Sequence, residues 1–308
     1  MKKSDSTATV SGTVRTKAAT SGTNPNIVFI VSDQHRANLT KRSGYALDTS
    51  PTLDKLADSG VSFDRAYATC PLCVPSRTSM LTGRWPEAHR VRMNFDAKDA
   101  YFTKDLYQVA KERGYQTGLA GKNHTYLKAG DLDFWRAYGH TAGWQSPHPD
   151  KEVVAYDEWI KNLGGGNLSL LPTPFPVETQ FPYRIVSDAI DFMNQARSCP
   201  FILQVGFPEP HPPEQVPSPY WDMYPPDQLP DRIAGPEALR KLGYRAQWLF
   251  GLEQRATPSD ESNWRRYRSN YLGMLRLLDD QLARLLDYMR KKDLLQNTIV
   301  IYLADHGD

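Results

Sequence analysis

The sequence has few cysteines and no long apolar run, and each shortage excludes a class of protein. Only three cysteines occur among 308 residues, and so sparse and odd a set argues against a disulfide-held fold. No segment is long and apolar enough to span a bilayer. The formal net charge is +2, without a marked run of Lys or Arg. We therefore expect neither nucleic acid nor an anionic membrane as a partner.

The first 25 residues also lack an apolar stretch. They are rich in Ser, Thr, Lys and Gly, which is typical of a disordered leader, and they lack the apolar core of a secretory signal. The sequence alone leaves the compartment unknown. The cytoplasm is the default, and the periplasm or secretion is the alternative if a signal was removed.

Apolar strands and amphipathic helices alternate along the rest of the chain. The predicted strands are Asn26–Val31, Gln116–Ala120, Pro200–Phe207 and Thr298–Leu303. The predicted helices start near Pro51 and cover about 104–112, 183–197 and 264–291. This alternation predicts an α/β fold with a largely parallel central sheet flanked by helices. Residues 140–182 have weak periodicity and many Gly, Pro and Trp residues, so we predict long loops there.

Short polar clusters follow three of the predicted strands. They are Asp33, Lys122 with His124, and Asp305 with His306. The carboxyl ends of parallel strands meet at one edge of an open α/β sheet, which is where ligands bind. We therefore expect these residues to be neighbours in space.

Cys73 opens the most informative motif of the chain. With Cys70 it makes a C-x-x-C spacing, which could indicate a redox pair or half a zinc site, but no second C-x-x-C and no H-x-x-x-H follows, so a zinc site is weakly supported. The segment Cys73-Val74-Pro75-Ser76-Arg77, which continues to Leu81-Thr82-Gly83-Arg84, closely resembles the signature of type I, formylglycine-dependent sulfatases of the alkaline-phosphatase-like superfamily. A buried structural cysteine beside a helix-starting proline is the alternative interpretation.

The resemblance implies a covalent mechanism. Cys73 would be oxidised by a formylglycine-generating enzyme, guided mainly by Pro75 and Arg77. One hydroxyl of the hydrated aldehyde would attack the sulfur of a metal-bound sulfate ester, and the other would expel sulfate from the sulfo-enzyme by re-forming the aldehyde. The expected substrate is a carbohydrate or small-molecule sulfate, and the fold implied is that of the alkaline phosphatase superfamily.

The polar clusters resemble the ligands of the family's single divalent metal. The resemblance implies Asp33, Gln34, Cys73, Asp305 and His306 as metal-site residues. Oxygen donors favour Ca²⁺, with Mg²⁺ as an alternative. Many sulfatases have Asp-Asp and Asp-Asn where this chain has Asp-Gln and Asp-His, and the latter pairs resemble the choline-sulfatase-like and phosphonate monoester hydrolase branches. The imidazole also admits Mn²⁺.

Two further motifs resemble catalytic segments of the family. Gly121-Lys122-Asn123-His124 resembles Gly-Lys-x-His, which implies that Lys122 binds sulfate oxygens and His124 contacts the formylglycine. Pro210-His211-Pro212-Pro213 resembles the Pro-His-x-Pro segment, which implies that His211 protonates the leaving group. Arg77 completes the expected catalytic set. For each, an incidental residue in a surface loop is the alternative.

The resemblance covers Asn26 to Asp308. Family members usually continue with a smaller subdomain and another sulfate-binding lysine, so we expect residues 26–308 to be an N-terminal catalytic domain cut after its last metal motif. Two alternatives stay open, a phosphonate monoester or phosphodiester hydrolase of the same superfamily and an inactive sulfatase-like fragment. Five aromatic residues could line the pocket and stack on a sugar or aryl ring, or on choline, namely Trp144, Trp159, Tyr220, Trp221 and Tyr224.

Overall fold

A parallel sheet organises the chain. The computed structural model describes residues 24–139, 150–164, 168–195, 197–231, 238, 241–244, 246–248 and 261–308. The strands are β1 (Asn26–Ser32), β2 (Gln116–Lys122), β3 (Phe134–Tyr138), β4 (Phe201–Phe207) and β5 (Thr298–Ala304). All are parallel, in the order β3-β2-β4-β1-β5. The predicted α/β class is confirmed.

Helices cover both faces of the sheet. They are α1 (Pro51–Asp58), α2 (Cys73–Thr82), α3 (Pro86–His89), α4 (Leu106–Glu112), α5 (Lys151–Leu163), α6 (Phe181–Asn194), α7 (Ser218–Trp221) and α8 (Glu261–Lys291). One core lies between the sheet and α6 and α8, where Phe192 and Leu282 are fully buried. A second core on the opposite face joins Leu119 and Ile202 to α2 and α4. No helix in the described part of the chain could cross a membrane.

The register of the strands brings the polar clusters together. Ser32, the last residue of β1, pairs with Phe207 of β4 and with Ala304 of β5. The residues that follow these strands therefore leave the sheet at the same level. Lys122 ends β2 beside them, which is the neighbourhood expected for the carboxyl edge of the sheet.

Two glycines let β2 and β4 approach closely at this edge. Gly121 pairs with Gly206 in the register, and Gly121 has a left-handed backbone with φ of 108°. A Cβ on Gly206 would lie 2.5 Å from the carbonyl oxygen of Lys122, well inside contact distance. The close approach fixes where the Lys122 backbone lies.

The prediction for residues 140–182 was wrong in part. The segment contains α5, a helix of 13 residues, although residues 140–149 and 165–167 lie outside the described part. The Asp150 carboxylate accepts a hydrogen bond from the Glu152 N–H and caps this helix. Tyr156 and Ile160, one turn apart, bury its inner face. The helix was not predicted because its apolar stripe is short and the segments on either side are rich in Gly and Trp. Strand β3 was also missed.

Candidate active site

Cys73 lies at the first turn of α2, and its side chain is buried. Leu72 precedes the helix in an extended conformation, and Gly83 ends it in the left-handed region that favours glycine. Only 4% of Cys73 is exposed. The backbone N–H of Val74 donates to the side-chain oxygen of Asn94 at 3.1 Å. This bond satisfies one of the amides that a helix start leaves unpaired.

Four potential metal ligands from three segments converge on one point. They are Asp33, Cys73, Asp305 and His306, and their ligand atoms all lie within 4.8 Å of one another. His306 Nε2 lies 3.3 Å from Cys73 Sγ and 3.6 Å from Asp33 Oδ1. Asp33 follows β1 and Asp305 follows β5, so the strand register assembles the group.

The donor set fits a divalent cation. His306 Nδ1 lies 2.8 Å from the carbonyl oxygen of Gly307, which favours the tautomer with the proton on Nδ1. The Nε2 lone pair then points to the group, as a histidine ligand requires. Two carboxylates and one imidazole suit a metal between the hard and borderline classes.

Two buried cations already compensate the carboxylates. Arg77 Nε donates to Asp305 Oδ2 at 2.7 Å, and a second Arg77 nitrogen lies 3.4 Å from Asp33 Oδ2. The Lys122 ammonium also contacts Asp33 Oδ2. Burial alone would raise the pKa of Asp33, but attraction to Lys122 and Arg77 outweighs it and holds that pKa well below its usual range. Asp33 is therefore ionised at neutral pH.

Gln34 is the predicted metal-site residue whose side chain lies outside this group. Its backbone is left-handed, with φ of 66°, and its N–H donates to Asp305 Oδ1 at 3.1 Å. The side-chain amide instead donates to Asp308. Gln34 thus supports Asp305 through its backbone in this conformation.

His124 and His211 form the less buried side of the site. Burial lowers the pKa of His124 to about 3, helped by repulsion from Lys122. Burial also lowers the pKa of His211, although Asp33 opposes the shift. His211 Nδ1 lies 2.8 Å from the Pro212 carbonyl oxygen. Both rings are therefore neutral near pH 7, and His211 carries its neutral-state proton on Nδ1.

Sequence reasoning missed three residues that hold the site together. Asn94 bonds the start of α2 as described above. The Ser76 hydroxyl donates to the Asp305 carbonyl at 2.6 Å, and the Glu209 carbonyl accepts from the Asp33 N–H at 3.3 Å. Burial raises the pKa of the Glu209 carboxyl to about 8. The neighbouring His211 was the one available signal for Glu209, whereas nothing in the sequence points to Asn94.

Most of the aromatic residues expected to line the pocket pack elsewhere. Tyr220 and Tyr224 belong to buried apolar clusters. Trp159 packs against Tyr156 and Phe175, and Trp221 lies under the Arg266 guanidinium. The contacts of these four are packing contacts, and none of them supports a role in lining the pocket. Trp144 lies outside the described part.

The other histidines and cysteines have structural surroundings. His35 is buried and pairs with the Tyr302 hydroxyl at 2.7 Å. His89 Nε2 lies 2.9 Å from the Ser79 hydroxyl. Cys70 and Cys73 are both free thiols, so the C-x-x-C spacing makes no disulfide here. His140 and His148 lie outside the described residues.

The arrangement of charges suits chemistry on a tetrahedral oxyanion. Carboxylates and an imidazole at one end can hold a cation, while Arg77 and Lys122 add two positive charges beside them. Burial raises the pKa of the Cys73 thiol to about 12, so the unmodified side chain is a protonated and poor nucleophile. An anion bound here would meet a positive field with little water to screen it.

Comparison with known proteins agrees with this description. A family model described as Sulfatase matches residues 25–308. An arylsulfatase of Clostridium perfringens is 28% identical, over 92% of this chain and 63% of its own length. A choline-sulfatase of Rhizobium meliloti is 24% identical, over 92% and 57%. The phosphonate monoester hydrolase of Agrobacterium radiobacter superposes with a TM-score of 0.76 at 22% identity, over 92% of this chain and 63% of that one. This chain thus spans about three fifths of such relatives.

Proposed function

The chain belongs to the sulfatase family, and we propose that the protein hydrolyses sulfate esters with a nucleophile made from Cys73. The observation that carries this proposal is the convergence of Asp33, Cys73, Asp305 and His306, with Arg77 and Lys122 beside them. The arylsulfatase and the choline-sulfatase named above, at 28% and 24% identity, support a sulfate ester as the substrate.

Oxidation of Cys73 would replace a side chain that is a poor nucleophile in this environment. A thiol with a pKa of about 12 offers almost no thiolate at neutral pH. An oxidised, hydrated side chain would supply a hydroxyl that attacks and a second that releases the product. Because Cys73 is buried beside Asp33, that hydroxyl would lie next to a carboxylate able to orient it.

We propose one divalent metal, held by Asp33, Asp305, His306 and the oxidised Cys73 side chain. When bound, the metal would supply positive charge for the sulfate oxygens and favour the ionised hydroxyl. Ca²⁺ is the first candidate, with Mg²⁺ and Mn²⁺ as alternatives that the imidazole ligand admits. Elemental analysis of purified protein would identify the metal.

Two charged and two neutral side chains beside the proposed metal would each have a separate role in the reaction. Lys122 would bind a sulfate oxygen, and Arg77 would hold both carboxylates in place through its planar fork. His211 would give a proton to the leaving oxygen from Nε2. Since its neutral form keeps the proton on Nδ1, His211 must first take up a second proton, which an anionic substrate would favour. His124 would accept a hydrogen bond from the nucleophile.

The test is a comparison of rates on three esters of 4-nitrophenol, the sulfate, the phosphate and the phenylphosphonate. The protein, coexpressed with a formylglycine-generating enzyme, is expected to prefer the sulfate, and Cys73→Ala should lose at least about 10³-fold. Cys199→Ala is the matched control, since Cys199 is exposed. Preference for the phosphonate would favour the phosphonate hydrolase alternative, and no turnover of any ester would favour an inactive relative.

A further inference from the structure

We propose that Tyr271 and Tyr267 of helix α8 are positioning residues for the proposed metal site, because their hydroxyls hold the two turns that carry metal ligands. One turn follows β1 and contains Asp33, and the other follows β5 and contains Asp305 and His306. This role rests on the proposed function, since the metal belongs to that reaction. It gives α8, which supplies none of the four converging ligands, a part in building the site.

The Tyr271 hydroxyl bridges the turn that follows Asp33. It donates to the Gln34 carbonyl and accepts from the Arg36 N–H at 3.1 Å. The Gln34 N–H in turn donates to Asp305 Oδ1 at 3.1 Å. One hydroxyl therefore fixes the residue whose N–H orients a carboxylate of the metal site.

The turn needs this support because the Gln34 backbone is left-handed. Its φ is 66°, a conformation that is unfavourable for a residue with a Cβ. Such strain persists only where the surrounding structure determines the conformation, and it is concentrated at functional sites. Without the Tyr271 hydroxyl, Gln34 is free to relax to an ordinary backbone conformation, which turns its N–H away from Asp305.

Tyr267, one turn earlier on α8, holds the turn after β5. Its hydroxyl donates to Asp308 Oδ2 at 2.9 Å, two residues after His306. The other oxygen of the Asp308 carboxylate accepts from the Gln34 side chain. Asp308 thus joins the two ligand-bearing turns to each other, and Tyr267 joins them to α8. The rings of Tyr267 and Tyr271 stack with their centroids 6.4 Å apart.

Helix α8 is a rigid support for these hydrogen bonds. Further along the helix, Leu278 and Leu282 are buried in the core against the sheet. Tyr271 is 3% exposed and packs in a cluster with Leu39 and Leu275, so its hydroxyl has a fixed position. Residues that orient metal ligands in this way typically contribute about 10- to 100-fold to metal affinity.

The metal affinity of the mature protein tests this role without turnover. Ca²⁺, and in a second series Mn²⁺, would be titrated by calorimetry into protein made with a formylglycine-generating enzyme and freed of metal with EDTA. Tyr271→Phe removes the hydroxyl and keeps the ring, and it should weaken metal binding about tenfold. Tyr267→Phe should weaken it less, because Asp308 keeps its bond to Gln34.

Tyr224→Phe is the matched control, since Tyr224 belongs to the same apolar cluster as Tyr271. The Tyr224 hydroxyl donates to the Asp48 carbonyl at 2.7 Å, in a segment that carries no ligand. Both variants lose a hydroxyl hydrogen bond and should melt at a lower temperature, but only Tyr271→Phe should lose metal affinity. Saturating Ca²⁺ should restore kcat of Tyr271→Phe, with KM for 4-nitrophenyl sulfate unchanged.

The outcomes separate this role from the proposed function. Wild-type metal affinity in Tyr271→Phe would overturn the positioning role, and hydrolysis of the sulfate by the same protein would leave the proposed function intact. Weaker metal binding by Tyr271→Phe, in a protein that hydrolyses no sulfate ester, would support the role and contradict the proposed function. A wild-type protein that binds neither Ca²⁺ nor Mn²⁺ would overturn the role whatever its activity.

Discussion

At the scale of single residues, Arg77 compensates the two carboxylates of the site. It is 1% exposed and reaches Asp305, Asp33 and the Lys122 carbonyl through three nitrogens. Buried charges that lose a partner are strongly destabilising. Arg77, which we expect to guide oxidation of Cys73, therefore also stabilises the folded protein.

Arg77→Ala should lower the free energy of unfolding by about 3–5 kcal/mol, because it leaves buried carboxylates without their partner. Urea denaturation measures this loss. Arg42→Ala, which breaks an exposed pair with Asp58 at 2.6 Å, is the control and should cost less than about 1 kcal/mol. Equal losses in the two variants would mean that Arg77 is not part of the charge network.

Glu214 makes stability depend on pH. Burial raises the pKa of its carboxyl to about 8, from an ordinary value of 4.5, and one oxygen has no hydrogen-bond partner among the described residues. The folded state thus holds this proton more tightly than the unfolded chain does. Its contribution is full below pH 4.5 and is lost as the pH rises to about 8.

Glu214→Gln should therefore leave stability at pH 5 nearly unchanged and raise the free energy of unfolding at pH 8 by roughly 2–4 kcal/mol. Denaturation at the two pH values measures the difference. The exposed Glu112, which pairs with Lys104 on the surface, provides the control variant Glu112→Gln. A gain at pH 5 as large as that at pH 8 would contradict the account.

Site residues could be predicted from the sequence where they directly follow a strand or belong to a motif. Asp33, Lys122, Asp305 and His306 are found together because parallel strands end at one edge. Asn94 and Glu209 were missed, since their contacts depend on how a loop folds back, and neighbouring residues do not encode that. Four of the five aromatic residues that could line the pocket make packing contacts with other clusters, because composition does not distinguish a core ring from a pocket one.

At the scale of elements, the contact between β2 and β4 positions Lys122. Gly206→Ala places a Cβ 2.5 Å from the Lys122 carbonyl oxygen, so the strands must separate where the site is built. We expect a loss of about 1–3 kcal/mol in stability from this overpacking and a fall in kcat/KM of at least about tenfold.

Gly130→Ala is the matched change, because a Cβ there meets no atom within 4 Å in the described part of the chain. It should preserve both stability and activity. Activity of Gly206→Ala equal to that of Gly130→Ala would show that the site tolerates movement of β2, against the proposed role of the strand contact.

The elements themselves were predicted with uneven success. Strand β1, predicted at Asn26–Val31, is Asn26–Ser32, and the predicted helix 264–291 is Glu261–Lys291. Both have long, unbroken apolar patterns. Strand β3 was missed because this edge strand is buried only at Phe134 and Tyr138 and so carries a weak apolar pattern. Helix α5 was missed because its apolar stripe is short and lies between Gly- and Trp-rich segments.

At the scale of the whole molecule, we expect the metal to add to the stability of the fold and not to be required for folding. Lys122 and Arg77 both contact Asp33, so this buried carboxylate has protein partners of its own. Chelation with EDTA should leave the circular dichroism spectrum unchanged and lower the Tm by several degrees, as loss of a ligand worth about 2–4 kcal/mol predicts. Re-addition of Ca²⁺ should restore it. Unfolding on chelation would assign the metal a folding role instead.

The most direct test of the central claim is the chemical state of Cys73. Mass spectrometry of the tryptic peptide Ala66–Arg77, from protein made with an active formylglycine-generating enzyme, should show a side chain that has lost its sulfur and reacts with a hydrazide. That result is predicted if the protein is a sulfatase that uses Cys73. An unmodified thiol at Cys73 in such material would contradict the account.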